Sequence, residues 1–198
     1  MPAPLSQSPR TSRNLPSKVL GVIALVPALL IGALVVLRLC GLIRPFSVPT
    51  GAMTPAISPG DHIFMEGVTF LSRQPRRGDI VVFRTDGIPS VPPGTFYVKR
   101  VAGEPGERVR FAGGKLFVND KPVLLSNAVG QIVYELPQGA AAMSPQTEVT
   151  VPSDGYFVVG DNSTNSSDSR YWGAVPRGNI IGRVSFCYWP PQRARRVK

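Results

Sequence analysis

The chain has 198 residues, enough for one domain and an added segment. Its 20 Gly and 21 Pro favour turns and short strands over long helices, and two cysteines, Cys40 and Cys187, exclude a disulfide framework. A net charge of +10 admits nucleic acid as a partner, but the basic residues gather at the two ends with no aromatic-interleaved stripe between them, so anionic lipid head groups are the simpler partner and no nucleic acid is expected.

Residues 1–17 are rich in Pro and Ser and read as a disordered basic N-terminus. The segment 18–39 reads as a transmembrane anchor. Residues 19–37 carry no charge, and a helix of that length spans roughly 28 Å, close to the thickness of bilayer hydrocarbon. Pro27 is tolerated better there than in a soluble helix. A run without a polar face argues against a buried core helix. A cleaved signal peptide would end in small residues, whereas Arg38-Leu39-Cys40 follows here, and Leu37-Arg38-Leu39-Cys40 is a poor lipoprotein site. Arg10, Arg13 and Lys18 precede the run with no acid among them, which favours a cytoplasmic N-terminus, although Arg38 and Arg44 weaken the asymmetry.

Behind the anchor no long helical period occurs. Short apolar runs recur instead: Ile80-Val81-Val82-Phe83, Phe96-Tyr97-Val98, Leu116-Phe117-Val118, Tyr156-Phe157-Val158-Val159, and the stretch 180–186. Gly, Pro, Asn and Asp punctuate them, so the expected fold class is mainly β. Asn119-Asp120 reads as a hairpin turn. The β domain is expected over 45–191, with a basic tail at 192–198.

Among residues able to do chemistry, His62 is the only histidine and sits in Gly60-Asp61-His62-Ile63-Phe64, which reads as the start of a strand. With no second His and no nearby Cys, neither a zinc site nor a Cys/His site is supported, and no metal or cofactor is expected. Lys99 on its own reads as a solvated surface lysine, the usual fate of the type, and becomes the candidate base only with the resemblance described below. An ordinary lysine is charged at neutral pH and accepts no proton. Burial among apolar neighbours such as Phe96, Tyr97, Val98 and Val101 would lower its pKa. Strand alternation would put Tyr97, Lys99 and Val101 on one face and Val98 and Arg100 on the other. Asp161 and Asp168 lack a metal-ligand pattern. With Arg100 and Arg170 as partners they read as ion pairs holding the Lys99 strand to the later stretch.

Three segments carry a family resemblance. Val48-Pro49-Thr50-Gly51-Ala52-Met53-Thr54-Pro55 resembles the nucleophile segment of type I signal peptidases, which runs Pro-Ser-Gly-Ser-Met-x-Pro. Tyr97-Val98-Lys99-Arg100-Val101-Ala102-Gly103-Glu104-Pro105-Gly106-Glu107 resembles that family's lysine segment. Gly160-Asp161-Asn162-Ser163-Thr164-Asn165-Ser166-Ser167-Asp168-Ser169-Arg170 resembles its last conserved segment. They occur in the family's order behind an anchor, and the resemblance covers most of 47–190, with 107–155 matching loosely.

The resemblance implies a signal-peptidase-like β domain with a smaller, variable β insertion at about 107–153, preceded by one transmembrane helix. It implies a bacterial inner-membrane serine endopeptidase, with the catalytic domain on the outer side, that removes signal peptides from exported pre-proteins after small residues. Its partners would be signal peptides and the lipid bilayer. Lys99 would be the general base, Ser166 would orient it, and Thr50 would donate to the oxyanion beside the backbone N–H of residue 52. Met53 and Tyr97 would line the substrate pockets. Apart from the resemblance, the apolar Ile43, Phe46 and Val48 either keep the cleft near the membrane or are ordinary strand burial, the two readings weighing equally for Val48. One position departs: Ala52 stands where the nucleophilic Ser is expected, and a methyl group attacks nothing. Thr50 is no substitute, because residues 50 and 52 of an extended chain stand about 6.6 Å apart.

The leading reading is therefore a peptidase inactivated by Ser to Ala at position 52. Retention of Lys99, Ser166 and Thr50 together favours a deliberate change. The alternative is a natural pseudopeptidase that binds signal peptides or pre-proteins without cutting them. A self-cleaving Ser/Lys repressor would need a helix-turn-helix where the anchor stands.

Overall fold

A computed structural model describes residues 17–127, 129–135 and 148–197. It divides into two units, one ending at Leu39 and the other running over Cys40–Lys198. In the first, α1 (Ser17–Leu39) is a 23-residue helix with Pro27 inside it and Arg38 in its last turn. Val22, Leu25, Leu29 and Leu34 on it are exposed. Among the described residues no helix is long and apolar enough to cross a membrane. The structure thus supplies a helix over 18–39 but does not by itself supply a span. Residues 1–16 lie outside the described residues.

The second unit is mainly β. In chain order come β1 (Ile43–Ser47), β2 (His62–Glu66), the short α2 (Thr69–Ser72), β3 (Ile80–Arg84) and β4 (Phe96–Gly103). Then follow β5 (Arg108–Ala112), β6 (Lys115–Val118), β7 (Lys121–Val123), β8 (Ser126–Asn127), β9 (Gly130–Gln131) and β10 (Val149–Thr150). The chain closes with β11 (Gly155–Val159), α3 (Ser169–Trp172), β12 (Val175–Pro176), β13 (Ile180–Trp189) and β14 (Arg195–Arg196). The main sheet has the order β1-β2-β13-β3-β4-β11-β12, with β14 added on β13. Strands β10-β5-β6-β7 form a second, four-stranded sheet within the expected insertion. Residues 136–147 of that insertion lie outside the described residues.

The apolar runs read from the sequence fall in β3, β4, β6, β11 and β13. All four apolar residues Ile80 to Phe83 of β3 are buried, because alternate side chains enter different cores. Ile80 and Val82 join Met53, Ile57, Ile63 and Met65, while Val81 and Phe83 join Val101, Tyr156 and Trp172. A third core packs Val109, Phe111 and Leu116 of the insertion against Phe157 and Val159 of β11. Asn119 and Asp120 form the two-residue β6–β7 turn with φ of 48° and 65°, a conformation that Asn and Asp accept more readily than other side chains. His62 opens β2, edge-on to Tyr188 at 5.8 Å between ring centroids.

The pairing at the two edges of the β unit is visible directly. Pairing begins before residue 45, since Ile43 and Arg44 of β1 lie opposite Glu66 and Met65. The basic tail, whose order the sequence left open, is paired in part. Arg195 and Arg196 of β14 lie opposite Cys187 and Phe186, and Val197 is buried. One apolar side chain and arginines that reach a buried carboxylate fasten it. Cys40 and Cys187 are both free.

Candidate active site

The site is built from a turn, a strand and a loop. The turn leaves β1 and returns to β2 with its mouth closed by two backbone bonds. Val48 N–H donates to Asp61 O at 2.9 Å, and Gly60 N–H donates to Val48 O at 2.9 Å. Inside it, Thr54 N–H donates to Gly51 O and Ile57 N–H to Met53 O. Met53, Ala56 and Ile57 bury their side chains in the core, which fixes the turn against β2 and β13. Ala52 is buried and Thr50 exposed.

The strand is β4. Lys99 lies opposite Val81 on β3, and its neighbour Arg100 lies opposite Val159 on β11. Residues 50, 52 and 53 of the turn and 97, 98 and 99 of β4 line one cleft of about 280 Å³, together with Asn165 and Ser167. Thr50, Ala52, Met53, Tyr97 and Lys99 are thus brought together. Val98 also reaches the cleft, whereas strict alternation assigned it to the opposite face.

Lys99 is only 5% exposed. Burial lowers its pKa from the ordinary value to about 8; the charge of Asp168 pulls it back up and that of Arg170 pushes it further down. About one-tenth is therefore neutral at pH 7, far more than for an ordinary lysine, and able to accept a proton. Its Nζ lies 5.5 Å from the centre of the Tyr97 ring.

The loop follows β11. Asn162 ties it to the turn twice: its backbone N–H donates to Ala52 O at 3.0 Å and its side-chain Nδ2 to Gly51 O at 3.1 Å. Ser166 is buried beside Gly160 and the Ala52 carbonyl. Among the described residues its Oγ has no hydrogen-bond partner, so the expected bond from Ser166 to Lys99 is not formed. Arg100 grips Asp161 with two bonds of 2.7 Å and also donates to Gly78 O at 3.0 Å. This pair does join the lysine strand to the loop.

The second pair acts differently from the sequence reading. Arg170 and Asp168 lie two residues apart and close within the loop itself. Arg170 then reaches Ser163 Oγ, Ser163 O and Glu135 O, which fastens the insertion to the loop. Asp168 also accepts from Gly160 N–H at 2.9 Å. Sequence reasoning passed over Gly160, Asn162, Asn165 and Ser167. The signal available was the density of small and amide side chains around Asp161 and Asp168.

A family profile described as "Signal peptidase, peptidase S26" matches residues 20–189. The chain belongs to the signal peptidase family. Signal peptidase I of Leptolyngbya laminosa is 36% identical over 149 residues, 74% of this chain and 68% of that protein. The chloroplastic thylakoidal processing peptidase 1 of Arabidopsis thaliana is 36% identical over 159 residues, 77% of this chain and 44% of that one. The chain therefore spans less than half of that plant relative's length. A crystal structure of an Enterococcus faecalis signal peptidase I is 29% identical, with a TM-score of 0.40, covering 56% of this chain and 97% of that one.

Proposed function

We propose that this chain is a membrane-anchored signal peptidase of the Ser/Lys type in which Ala52 occupies the nucleophile's place, so that it holds a signal-peptide substrate without cutting it. The observation that carries the reading is the sharing of one cleft by Ala52 and a buried Lys99 whose pKa is lowered to about 8. With Ser at 52, neutral Lys99 would take the hydroxyl proton as Oγ attacks the scissile carbonyl. The oxyanion would be met by the Thr50 hydroxyl and the N–H of residue 52. The protonated lysine would then release its proton to the leaving amine, and water, deprotonated by Lys99, would hydrolyse the ester. With Ala at 52 the chain stops at the bound peptide. Met53 and Tyr97 favour small residues before the scissile bond, and an extended peptide gains main-chain pairing along the cleft. The uncharged stretch 19–37 of α1 would hold the chain in a bacterial inner membrane with its N-terminus in the cytoplasm.

The test compares Ala52→Ser with the parent chain in detergent, on a pre-protein carrying an Ala-x-Ala site. Loss of a catalytic Ser costs on the order of 10⁶ in kcat in another serine protease. The Ser form should cut and the Ala form should only co-purify with the pre-protein. Recovery should fall when the residue before the scissile bond is made bulky. A Ser form that does not cut would remove position 52 from the mechanism.

A further inference from the structure

The C-terminal residues 193–197 touch the turn that carries residue 52, and nothing in the chemistry above uses them. Asp61 ends that turn and is fully buried, at 0% exposure. Its carboxylate accepts from Ser58 N–H at 3.0 Å, inside the turn. Its cations come from the far end of the chain. Arg193 Nε lies 2.8 Å from one carboxylate oxygen and Arg195 Nη2 lies 3.3 Å from the other. The same Nη2 donates to Ala56 O at 2.6 Å and approaches Pro55 O at 3.5 Å, while Arg193 Nη2 donates to Pro59 O at 3.2 Å. Arg195 thus bridges the middle of the turn to its end. Val197, 5% exposed, sits in the same apolar core as Met53, Ala56 and Ile57. Its N–H donates to Ser185 O at 3.1 Å, and β14 is paired to β13 on the other side.

We propose that residues 193–197 are a strap that sets the position of the 53–61 turn, and that Arg195 and Val197 are positioning residues for the group at 52. A buried carboxylate needs a cation and hydrogen bonds to remain charged. Here the Arg195 guanidinium paired with Asp61 is also bonded to the backbone three to four residues past 52. The turn's own bonds mostly close it on itself, so its placement comes from its core residues Met53, Ala56 and Ile57 together with the guanidinium and the Val197 side chain. Displacing a reacting group by about 1 Å costs on the order of 10²-fold in rate. The strap acts through position, and no atom of it needs to touch substrate.

The strap is tested first without catalysis, and this arm does not depend on the function proposed above. In the full chain with Ala52, hydrogen exchange is followed at the amides of 53–61 and at those of β5 and β6. Arg195→Gln and Val197→Ala should each speed exchange in 53–61 by about tenfold or more, with β5 and β6 unchanged. Arg195→Lys, which keeps the charge but loses the fork, should fall between them and the parent. Unchanged exchange in 53–61, or acceleration spread equally over β5 and β6, overturns the strap. The second arm rests on the reading of 52 as the nucleophile's place. In the Ala52→Ser background, well below each variant's melting temperature, Arg195→Gln should lower kcat by about 10 to 100-fold with KM changed less than about threefold. Loss that merely tracks the unfolded fraction overturns the positioning role. Failure of the Ala52→Ser parent to cut sinks the proposed function and leaves the exchange result to decide the strap.

Discussion

Gly160 holds Ser166 against the turn: a Cβ built at 160 would lie 2.6 Å from Ser166 Cβ and 2.5 Å from the carbonyl oxygen of Ala52. The loop after β11 and the turn after β1 can meet only because residue 160 has no side chain. Gly160 N–H is at the same time committed to Asp168, so the backbone cannot slide aside to relieve a larger residue.

Gly160→Ala is therefore expected to destabilise the domain by about 1–3 kcal/mol, the usual cost of overpacking. In an Ala52→Ser background it should also depress cleavage more than Ser166→Ala does, since it displaces both Ser166 and residue 52. Urea unfolding and cleavage rates on the same preparations check both. Full stability with an added methyl would show that the contact is slack.

The mainly β class and the positions of the strands were legible because apolar runs bounded by Gly, Pro, Asn and Asp leave few other folds. Lys99 was legible too, but through the resemblance of its segment to the family's lysine segment, since its apolar flanks alone leave a solvated surface lysine the ordinary outcome. The partner of each arginine was less so. Asp168 and Arg170 pair within one loop, and only three-dimensional structure shows that Arg170 then turns to Glu135 of the insertion. Val98 escaped because its strand borders a cleft on the side that alternation assigns to the core. The role of 193–197 was hidden altogether. Arg193 and Arg195 look like part of a solvated tail until a buried Asp61, more than 130 residues earlier, is found beside them.

The lowered pKa of Lys99 gives a pH prediction with a definite sign. A base works only when neutral, so kcat/KM of the Ala52→Ser chain should rise tenfold per pH unit below the pKa and level off above about 8. Stability follows the same group in any background. The folded state gives up the Lys99 proton near 8, while the unfolded chain keeps it until about 10.4. Between those values the unfolded state binds more protons, so this group makes stability rise with pH across that window. Below about pH 8 the charged, buried Lys99 is a burden of roughly 3 kcal/mol at most. Lys99→Met should accordingly raise the melting temperature at pH 7, and the gain should shrink by pH 10. A Met variant that is less stable than the parent at pH 7 would mean the lysine is well solvated.

Two ion pairs differ in burial and should differ in worth. Arg100 and Asp161 are 2% and 0% exposed in their side chains, while Arg108 and Asp120 are 48% and 62% exposed. Asp161→Asn leaves a buried guanidinium short of its counter-charge and should cost about 3–5 kcal/mol. Asp120→Asn keeps a residue type that accepts the turn's positive φ and loses only a screened pair, so about 0–1 kcal/mol is expected. Denaturant titration of both variants measures the contrast. Equal small losses would show that Arg100 finds compensation in Gly78 O and its other surroundings.

Thr50 offers the cleanest separation of binding from chemistry. It lines the cleft from the turn but stays exposed, and its hydroxyl makes no hydrogen bond among the described residues. Thr50→Val removes the hydroxyl while keeping the branched shape. If that hydroxyl meets the oxyanion, its contribution exists only once the carbonyl has become tetrahedral. The ground-state complex should not notice its loss. In the Ala52→Ser background, Thr50→Val should therefore lower kcat by about 10²–10³-fold, the range for removing one oxyanion donor, with KM nearly unchanged. Thr50→Ser should restore most of the rate. In the Ala52 chain itself, Thr50→Val should leave capture of the pre-protein as it was. A rise in KM with kcat unchanged, or a loss of capture, would assign Thr50 to holding the peptide and would leave the backbone N–H of residue 52 as the donor still attributed to the oxyanion.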